Sequence, residues 1–173
     1  ESGIYVDSEH SSHASLHSNC LPAFFGLVPK GSEGTVAQIL LQKGLCCGVY
    51  MAYFLLKGLA RLGEYDAVYR LLTDQGKKSW YNMVREGGTT CFEAWGKDQK
   101  VNTSLCHPWA SAPVAILIED LAGLYPKSPG AEWSFAPKLP KNLEHFSLSV
   151  PLSDKILQLH YSNGNFAISH HHK

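Results

Sequence analysis

The sequence lacks any excess of charge and any long apolar run. Its 173 residues contain 15 Lys and Arg against 15 Asp and Glu. Binding to nucleic acid or to an anionic membrane requires clustered Lys and Arg, so we expect neither partner. The apolar runs are shorter than the roughly 20 residues that a membrane-spanning helix needs. The 45% of hydrophobic residues instead indicates a globular chain with one core, or one domain and part of another.

Cysteine is sparse and shows no pattern. The five cysteines have neither zinc-type nor redox spacing, and their odd count argues against a disulfide framework. We therefore interpret them as reduced, small, buried side chains, and we expect no metal and no cofactor. The His170–His172 run is likewise not interpreted as a metal site. The cysteines are Cys20, Cys46, Cys47, Cys91 and Cys106.

The N-terminal region shows no signal-peptide pattern. Residues 1–17 are polar, without a basic segment followed by an apolar one. The sequence does not begin with Met, so localisation stays open between the cytoplasm and the periplasm.

The first 125 residues have apolar side chains at helical spacing, separated by short breaks that contain Gly or Pro. The pattern predicts a series of helices in two concentric layers. The segment 45–62 is apolar on all sides, which predicts a helix buried on all sides. Pro108 is expected to open the last helix, where its missing N–H costs nothing. The predicted helices are 12–25, 32–43 (with Ser32 as N-cap), 45–62, 64–75, a short helix from Ser79, and 109–124.

Residues 126–173 have a different character. Four prolines interrupt the stretch 126–140, and strand-like alternation follows in 146–150 and 155–161. The sequence Ser162-Asn163-Gly164-Asn165 is typical of a hairpin turn into a third strand, 166–168. We therefore predict a mainly α part, residues 1–125, followed by a small antiparallel, sandwich-like β part, residues 126–173. So few strands must pack on other material to be stable.

One loop, Gly87–Gly96, has the features of a functional site. Glu93 is a lone carboxylate between Phe92 and Trp95, and loops held by helices often bind ligands or carry catalysis. Aromatic faces pack on the apolar side of a sugar while a carboxylate does the proton chemistry. The alternative is a loop glutamate that caps the following helix.

Several segments resemble glycoside hydrolase family 78, the bacterial and fungal α-L-rhamnosidases. The most specific is Gly88-Thr89-Thr90-Cys91-Phe92-Glu93-Ala94-Trp95, followed by Ser104-Leu105-Cys106-His107. Weaker similarity covers Ser15–Asn19, Phe25–Pro29, Tyr53–Leu59 and Ser79–Met83. The resemblance follows the same order as in the family and covers nearly the whole chain.

The resemblance implies part of an (α/α)6 toroid and inverting hydrolysis of terminal α-L-rhamnose. It assigns the general base to Glu93 and a sugar contact to His107. Nothing here matches the acidic, Arg- and Trp-containing motif that carries the family's general acid. We therefore expect the chain to be inactive alone and to need the N-terminal part of the catalytic domain, or another copy of the chain.

Two further side chains are predicted to contact or support the sugar. Trp95 is placed in or behind the pocket, and His17, one helical turn from His13, is placed at its edge. Trp80 and Trp109 are expected in the core. Glu119 and Asp120 are expected on a solvated helix face.

Other functions stay open. A non-catalytic helical carbohydrate-binding module should have a closed core and no large exposed apolar face. An enzyme fragment should place Glu93 at an aromatic-lined cavity and leave an apolar edge open. Another (α/α)6 glycosidase with a different sugar is the third alternative.

Overall fold

The computed structural model describes residues 3–128, 132–152 and 154–172. The chain forms two compact units, one up to Leu117 and one from Ile118 onward. The domain boundary that the sequence suggests, between residues 125 and 126, lies further along the chain and stays a prediction.

The first unit is helical, and serines set the start of two of its helices. The Ser15 side chain accepts from the Ser18 N–H, and that of Ser79 accepts from the Asn82 N–H, so each fills an N-cap. Ser32 precedes a helix as predicted but makes no side-chain cap bond. The helices are α1 Leu16–Phe25, α2 Glu33–Lys43, α3 Val49–Arg61, α4 Tyr65–Leu72 and α5 Trp80–Arg85, followed by a 3-10 turn at Pro108–Ala110.

Helix α1 is the predicted first helix, shortened at its start. It begins at Leu16 because Ser15 has extended backbone angles, and it ends at Gly26, which adopts the left-handed conformation with φ of 69°. Pro22 lies inside the helix without ending it.

Helix α3 is the centre of the first unit. Its Leu55, Leu56 and Leu59 have no exposed surface, and Gly58 lets α1 come close. A Cβ at Gly58 would lie 3.2 Å from the Cys20 carbonyl oxygen. The prediction that this helix is buried on all sides is wrong, because Tyr50 on its first turn is 50% exposed.

The last helix is shorter than predicted. It begins as α6, Ala112–Ala115, continues with π geometry over Ile116–Leu121, and does not reach residue 124. Gly123 ends it with φ of 69°, and a Cβ there would lie 2.1 Å from the Ala136 carbonyl oxygen. The predicted solvated position of Asp120 is also wrong, because this residue is buried and accepts a hydrogen bond from the Tyr125 hydroxyl.

The second unit contains two antiparallel sheets. Strands β1 Leu124–Pro126 and β2 Trp133–Phe135 form one, and β3 His145–Leu152, β4 Lys155–Ser162 and β5 Asn165–His172 form the other in that order. The β1–β2 pair was not predicted, because residues 124–135 show no strand-like alternation. The predicted turn between β4 and β5 is confirmed, because Asn163 and Gly164 both have positive φ, 44° and 88°.

The larger sheet has one apolar face. Its register pairs Leu148 with Leu159 and Leu159 with Ile168. Leu159, on the central strand, has no exposed surface, and Phe166 makes an edge contact with Phe135 of the smaller sheet. The predicted small antiparallel β segment is therefore present. Among the residues that the structure describes, no helix is long and apolar enough to cross a membrane.

We expect Leu56→Ala to lower the free energy of unfolding of the first unit by about 2–5 kcal/mol, because it opens a cavity at a fully buried position. Leu27→Ala is the matched control, since Leu27 is 67% exposed. Urea unfolding followed by circular dichroism measures both. Equal losses in the two variants would contradict the assignment of α3 to the core.

Candidate functional site

The loop between α5 and the 3-10 turn folds back on itself. The Glu93 N–H donates to the Ser104 carbonyl, and the His107 N–H donates to the Cys91 carbonyl, each at 2.8 Å. The segment 91–93 therefore runs antiparallel to 104–107. Two of the four residues that the sequence assigned to the site, Glu93 and His107, therefore lie on adjacent segments of one loop.

Asn82 fixes the base of this loop. Its buried side-chain amide donates to the Trp95 carbonyl and to a carboxylate oxygen of Glu86, each at 2.8 Å, and its oxygen accepts from Arg85. The other Glu86 oxygen accepts the Lys97 N–H at 2.8 Å. This bond, supported by Asn82, lowers the pKa of Glu86. Both ends of the Asn82 amide are therefore satisfied by loop or helix atoms.

Two glycines let the chain leave α5. Gly87 has φ of 78°, a conformation that glycine adopts without strain. At Gly88 the reason is close approach, because a Cβ would lie 2.8 Å from both the Met83 carbonyl oxygen and the Phe92 ring. The Gly-Gly pair in the sequence therefore corresponds to two different requirements of the turn.

The Glu93 carboxylate is mostly enclosed by its own loop. Its side chain is 15% exposed, one oxygen forms an ion pair with Lys100, and the other accepts the Ser104 N–H at 3.2 Å. The Lys100 ammonium, followed by the Ser104 N–H, lowers the pKa of Glu93, and His107 adds to the effect. Glu93 is therefore ionised at neutral pH.

His107 lies between this carboxylate and an exposed aromatic surface. Its ring is half-buried and lies 4.3 Å from the Trp109 ring, which in turn lies 5.5 Å from Tyr50. Trp109 is 49% exposed, so its predicted core position is wrong. It lies on the short turn that Pro108 opens, which holds the ring outside the core. A signal was present in the sequence, since Trp109 follows His107 by two residues.

Beside Trp109 lies a cleft of about 320 Å³ on the same unit. Aromatic rings from the first turns of α3 and small residues of the last helix line it. Its walls include Tyr50, Tyr53, Phe54, Trp109 and Ala112.

The aromatic neighbours of Glu93 in the sequence lie beneath the loop. Phe92 is 1% exposed and Trp95 is 3% exposed. The Trp95 indole N–H donates to the Cys47 carbonyl at 2.6 Å, and its ring meets Trp80 edge to face at 4.8 Å. Trp80 is in the core, as predicted. The structure therefore places Trp95 behind the site, as support for the loop.

Among the described residues, His17 makes no contact with the loop that holds Glu93. It is exposed on the first turn of α1, and no hydrogen bond or ring contact joins it to Glu93 or His107 in the described ranges. The neighbouring His13 instead binds the Asp7 carboxylate at 2.5 Å.

The cysteines differ in burial. Cys20 and Cys47 are buried, and burial raises the pKa of their thiols to about 11 and about 12. Cys46 and Cys106 are exposed and Cys91 is partly exposed, which corrects the expectation that all five are buried. All are free. Across residues 3–128, 132–152 and 154–172, no group of three or more His, Cys, Asp or Glu side chains is placed to hold a metal ion.

Comparison with known proteins identifies similar domains and folds. Residues 3–121 match the family described as the bacterial α-L-rhamnosidase 6 hairpin glycosidase domain. A solved α-L-rhamnosidase from Dictyoglumus thermophilum superposes with a TM-score of 0.75 at 20% identity, over 90% of this chain and 19% of that one. A native α-L-rhamnosidase from Aspergillus terreus gives a TM-score of 0.68 at 21% identity, over 96% and 20%.

These two likenesses concern the fold. The chain spans about a fifth of the length of each solved structure that it resembles. Comparison with curated protein sequences gave no match.

We expect Gly88→Ala to destabilise the first unit by about 1–3 kcal/mol, because the added methyl displaces the Met83 carbonyl or the Phe92 ring. Gly34→Ala in α2 is the matched control, since its Cβ meets nothing within 4 Å, and alanine there stabilises the helix by about 0.5–1 kcal/mol. Thermal unfolding distinguishes the two. Equal stability of Gly88→Ala and Gly34→Ala would contradict the close approach of Gly88 to Met83 and Phe92.

Proposed function

The chain belongs to the family of bacterial α-L-rhamnosidase six-hairpin glycosidase domains, and from this premise we propose that it forms part of a glycoside hydrolase that removes terminal α-L-rhamnose. The observation that carries the proposal is the Glu93 carboxylate, which Lys100 and the Ser104 N–H hold in a loop shared with His107.

We propose that Glu93 is the general base of an inverting reaction. Such a reaction needs a carboxylate that takes a proton from water on the face of the sugar opposite the leaving group. A base must be ionised at the working pH, and the ion pair with Lys100 favours the ionised form of Glu93. Each carboxylate oxygen accepts two hydrogen bonds, so one partner on each oxygen leaves a lone pair for water.

Four other side chains have proposed roles in sugar binding. His107 hydrogen-bonds a sugar hydroxyl, and Trp109 offers its exposed face to the apolar side of the ring. Trp95 supports the loop from behind through its bond to Cys47. His17, exposed on the first turn of α1, is proposed to lie at the edge of the sugar pocket.

We propose that the second carboxyl group of the reaction comes from outside this chain. Inverting glycosidases hold their two carboxyl groups roughly 6.5–9.5 Å apart. The sequence contains no match to the acidic, Arg- and Trp-containing motif that carries the family's general acid. We propose that further hairpins supply the acid, and that the helices of the first unit belong to an (α/α)6 toroid completed by those hairpins.

The exposed apolar side chains of the first unit support this arrangement. Nine large ones among its described residues are between 45% and 67% exposed, as we expect of an open edge in the helical layer and not of a closed binding module. They are Phe25, Leu27, Tyr50, Tyr81, Val84, Leu105, Trp109, Val114 and Leu117.

We expect Glu93→Gln in the full-length gene product to lower hydrolysis of p-nitrophenyl α-L-rhamnoside at least about 10²-fold, since the amide cannot accept the proton. Rhamnose affinity, measured by calorimetry, stays close to that of the wild type. Glu132→Gln, at an exposed position of the second unit, is the control and keeps full activity. Full activity in Glu93→Gln would contradict the base assignment. Rhamnose binding without any hydrolysis in the wild type would favour a carbohydrate-binding module.

We expect Trp109→Ala to weaken rhamnose binding about threefold to tenfold, in line with loss of one aromatic contact. Trp133→Ala is the matched control, because Trp133 is also exposed, at 38%, but lies in the second unit. Calorimetric titration of rhamnose into both variants gives the comparison. If the two bind sugar equally well, Trp109 is not the platform.

A further inference from the structure

The Lys100 ammonium contacts the Glu93 carboxylate, and a hydrogen bond within a turn holds the Lys100 main chain in place. The Lys100 carbonyl accepts the Thr103 hydroxyl at 2.6 Å, and Asn102 between them adopts a positive φ of 54°. The turn is therefore closed by its own side chain. Ser104, the next residue, supplies the other hydrogen bond to Glu93. Both partners of the carboxylate thus come from one short turn.

We propose that Lys100 is a positioning residue for the Glu93 base. Its ammonium binds Oε1 while the Ser104 N–H binds Oε2, so the plane of the carboxylate is fixed between two donors of the same turn. One lone pair of each oxygen stays available to a water molecule. This inference rests on the proposed function of Glu93, and it goes beyond it by assigning the orientation of the base to a specific side chain.

The loop contains a second lysine with a different role, which makes the assignment to Lys100 specific. The Lys97 ammonium donates to the main-chain carbonyl of Glu86 at 2.7 Å and lies 5.9 Å from the centre of the Phe92 ring. Lys97 therefore ties the loop to α5, whereas Lys100 meets the carboxylate. Lys100 is 50% exposed, so it can be replaced without opening a buried cavity.

The contact also determines how the site responds to acid. The titratable groups that act on Glu93 are Lys100 and His107, and both favour its ionised form. The pKa of Glu93 is thereby held below its ordinary value, and the base keeps its negative charge as the pH falls. Without the ammonium the pKa rises, so protonation, and with it loss of activity, begins at a higher pH.

The test compares Lys100→Met with Lys100→Arg, and uses Lys97→Met as a control on the same loop. Carbon-13 NMR titration of the Glu93 side-chain carboxyl in this chain detects the contact with Lys100 and does not depend on catalysis. The pH profile of rhamnoside hydrolysis by the full-length gene product then measures the effect of the contact on the reaction.

We expect Lys100→Met to raise the Glu93 pKa and to move the acidic limb of the profile to higher pH by a similar amount. We also expect it to lower kcat about tenfold, because the base is misoriented. Lys100→Arg retains the charge, so the Glu93 pKa, the acidic limb and kcat stay close to those of the wild type. Lys97→Met leaves the Glu93 titration unchanged.

The outcomes separate this inference from the function on which it rests. An unchanged Glu93 titration in Lys100→Met overturns the role of Lys100, whatever the enzyme does. A shifted titration with an unmoved pH profile and unchanged kcat overturns it as well, because the contact then does not serve the base. A wild-type gene product that does not hydrolyse rhamnosides overturns the proposed function instead, and the NMR result still reports whether the contact exists.

Discussion

The side-chain amide of Asn82 is the contact on which the candidate site depends. It lies buried in the first turn of α5 and binds both the main-chain carbonyl of Trp95 in the loop and the Glu86 carboxylate, which in turn accepts the Lys97 N–H. A buried amide with a missing partner would cost about 1–3 kcal/mol, so the loop and the helix stabilise each other. The position of Glu93 therefore depends on α5 as well as on the loop sequence.

The sequence predicts those features that arise from local chemistry. The short helix that begins after Ser79, the end of the first helix at Phe25 and the Asn163–Gly164 turn depend on neighbouring residues only, and each is confirmed. Features that depend on tertiary contacts were predicted wrongly or not at all. The last helix ends early because Gly123 meets the Ala136 carbonyl, a contact that periodicity cannot reveal.

The same distinction applies to the site. The motif around Glu93 indicated the loop and its partner His107, since both lie in short, recognisable segments. It did not reveal that Phe92 and Trp95 turn inward, or that Trp109 and Tyr50 turn outward. Apolar aromatic residues are found in cores and on sugar-binding surfaces alike, so their type alone does not decide between the two. The ion pair between Lys100 and Glu93 was not predicted either, because the two residues lie seven positions apart across a turn.

The division of the cysteines has a practical consequence for spectroscopy. Thiolates are the reactive form, and burial disfavours them at Cys20 and Cys47. Alkylating dyes and spin labels at neutral pH therefore attach first to the exposed Cys46 and Cys106. Cys106 directly precedes His107, so a fluorophore on a variant in which Cys46 is replaced by Ser would sit at the rim of the proposed sugar site. The native chain thus carries its own attachment point for a binding reporter.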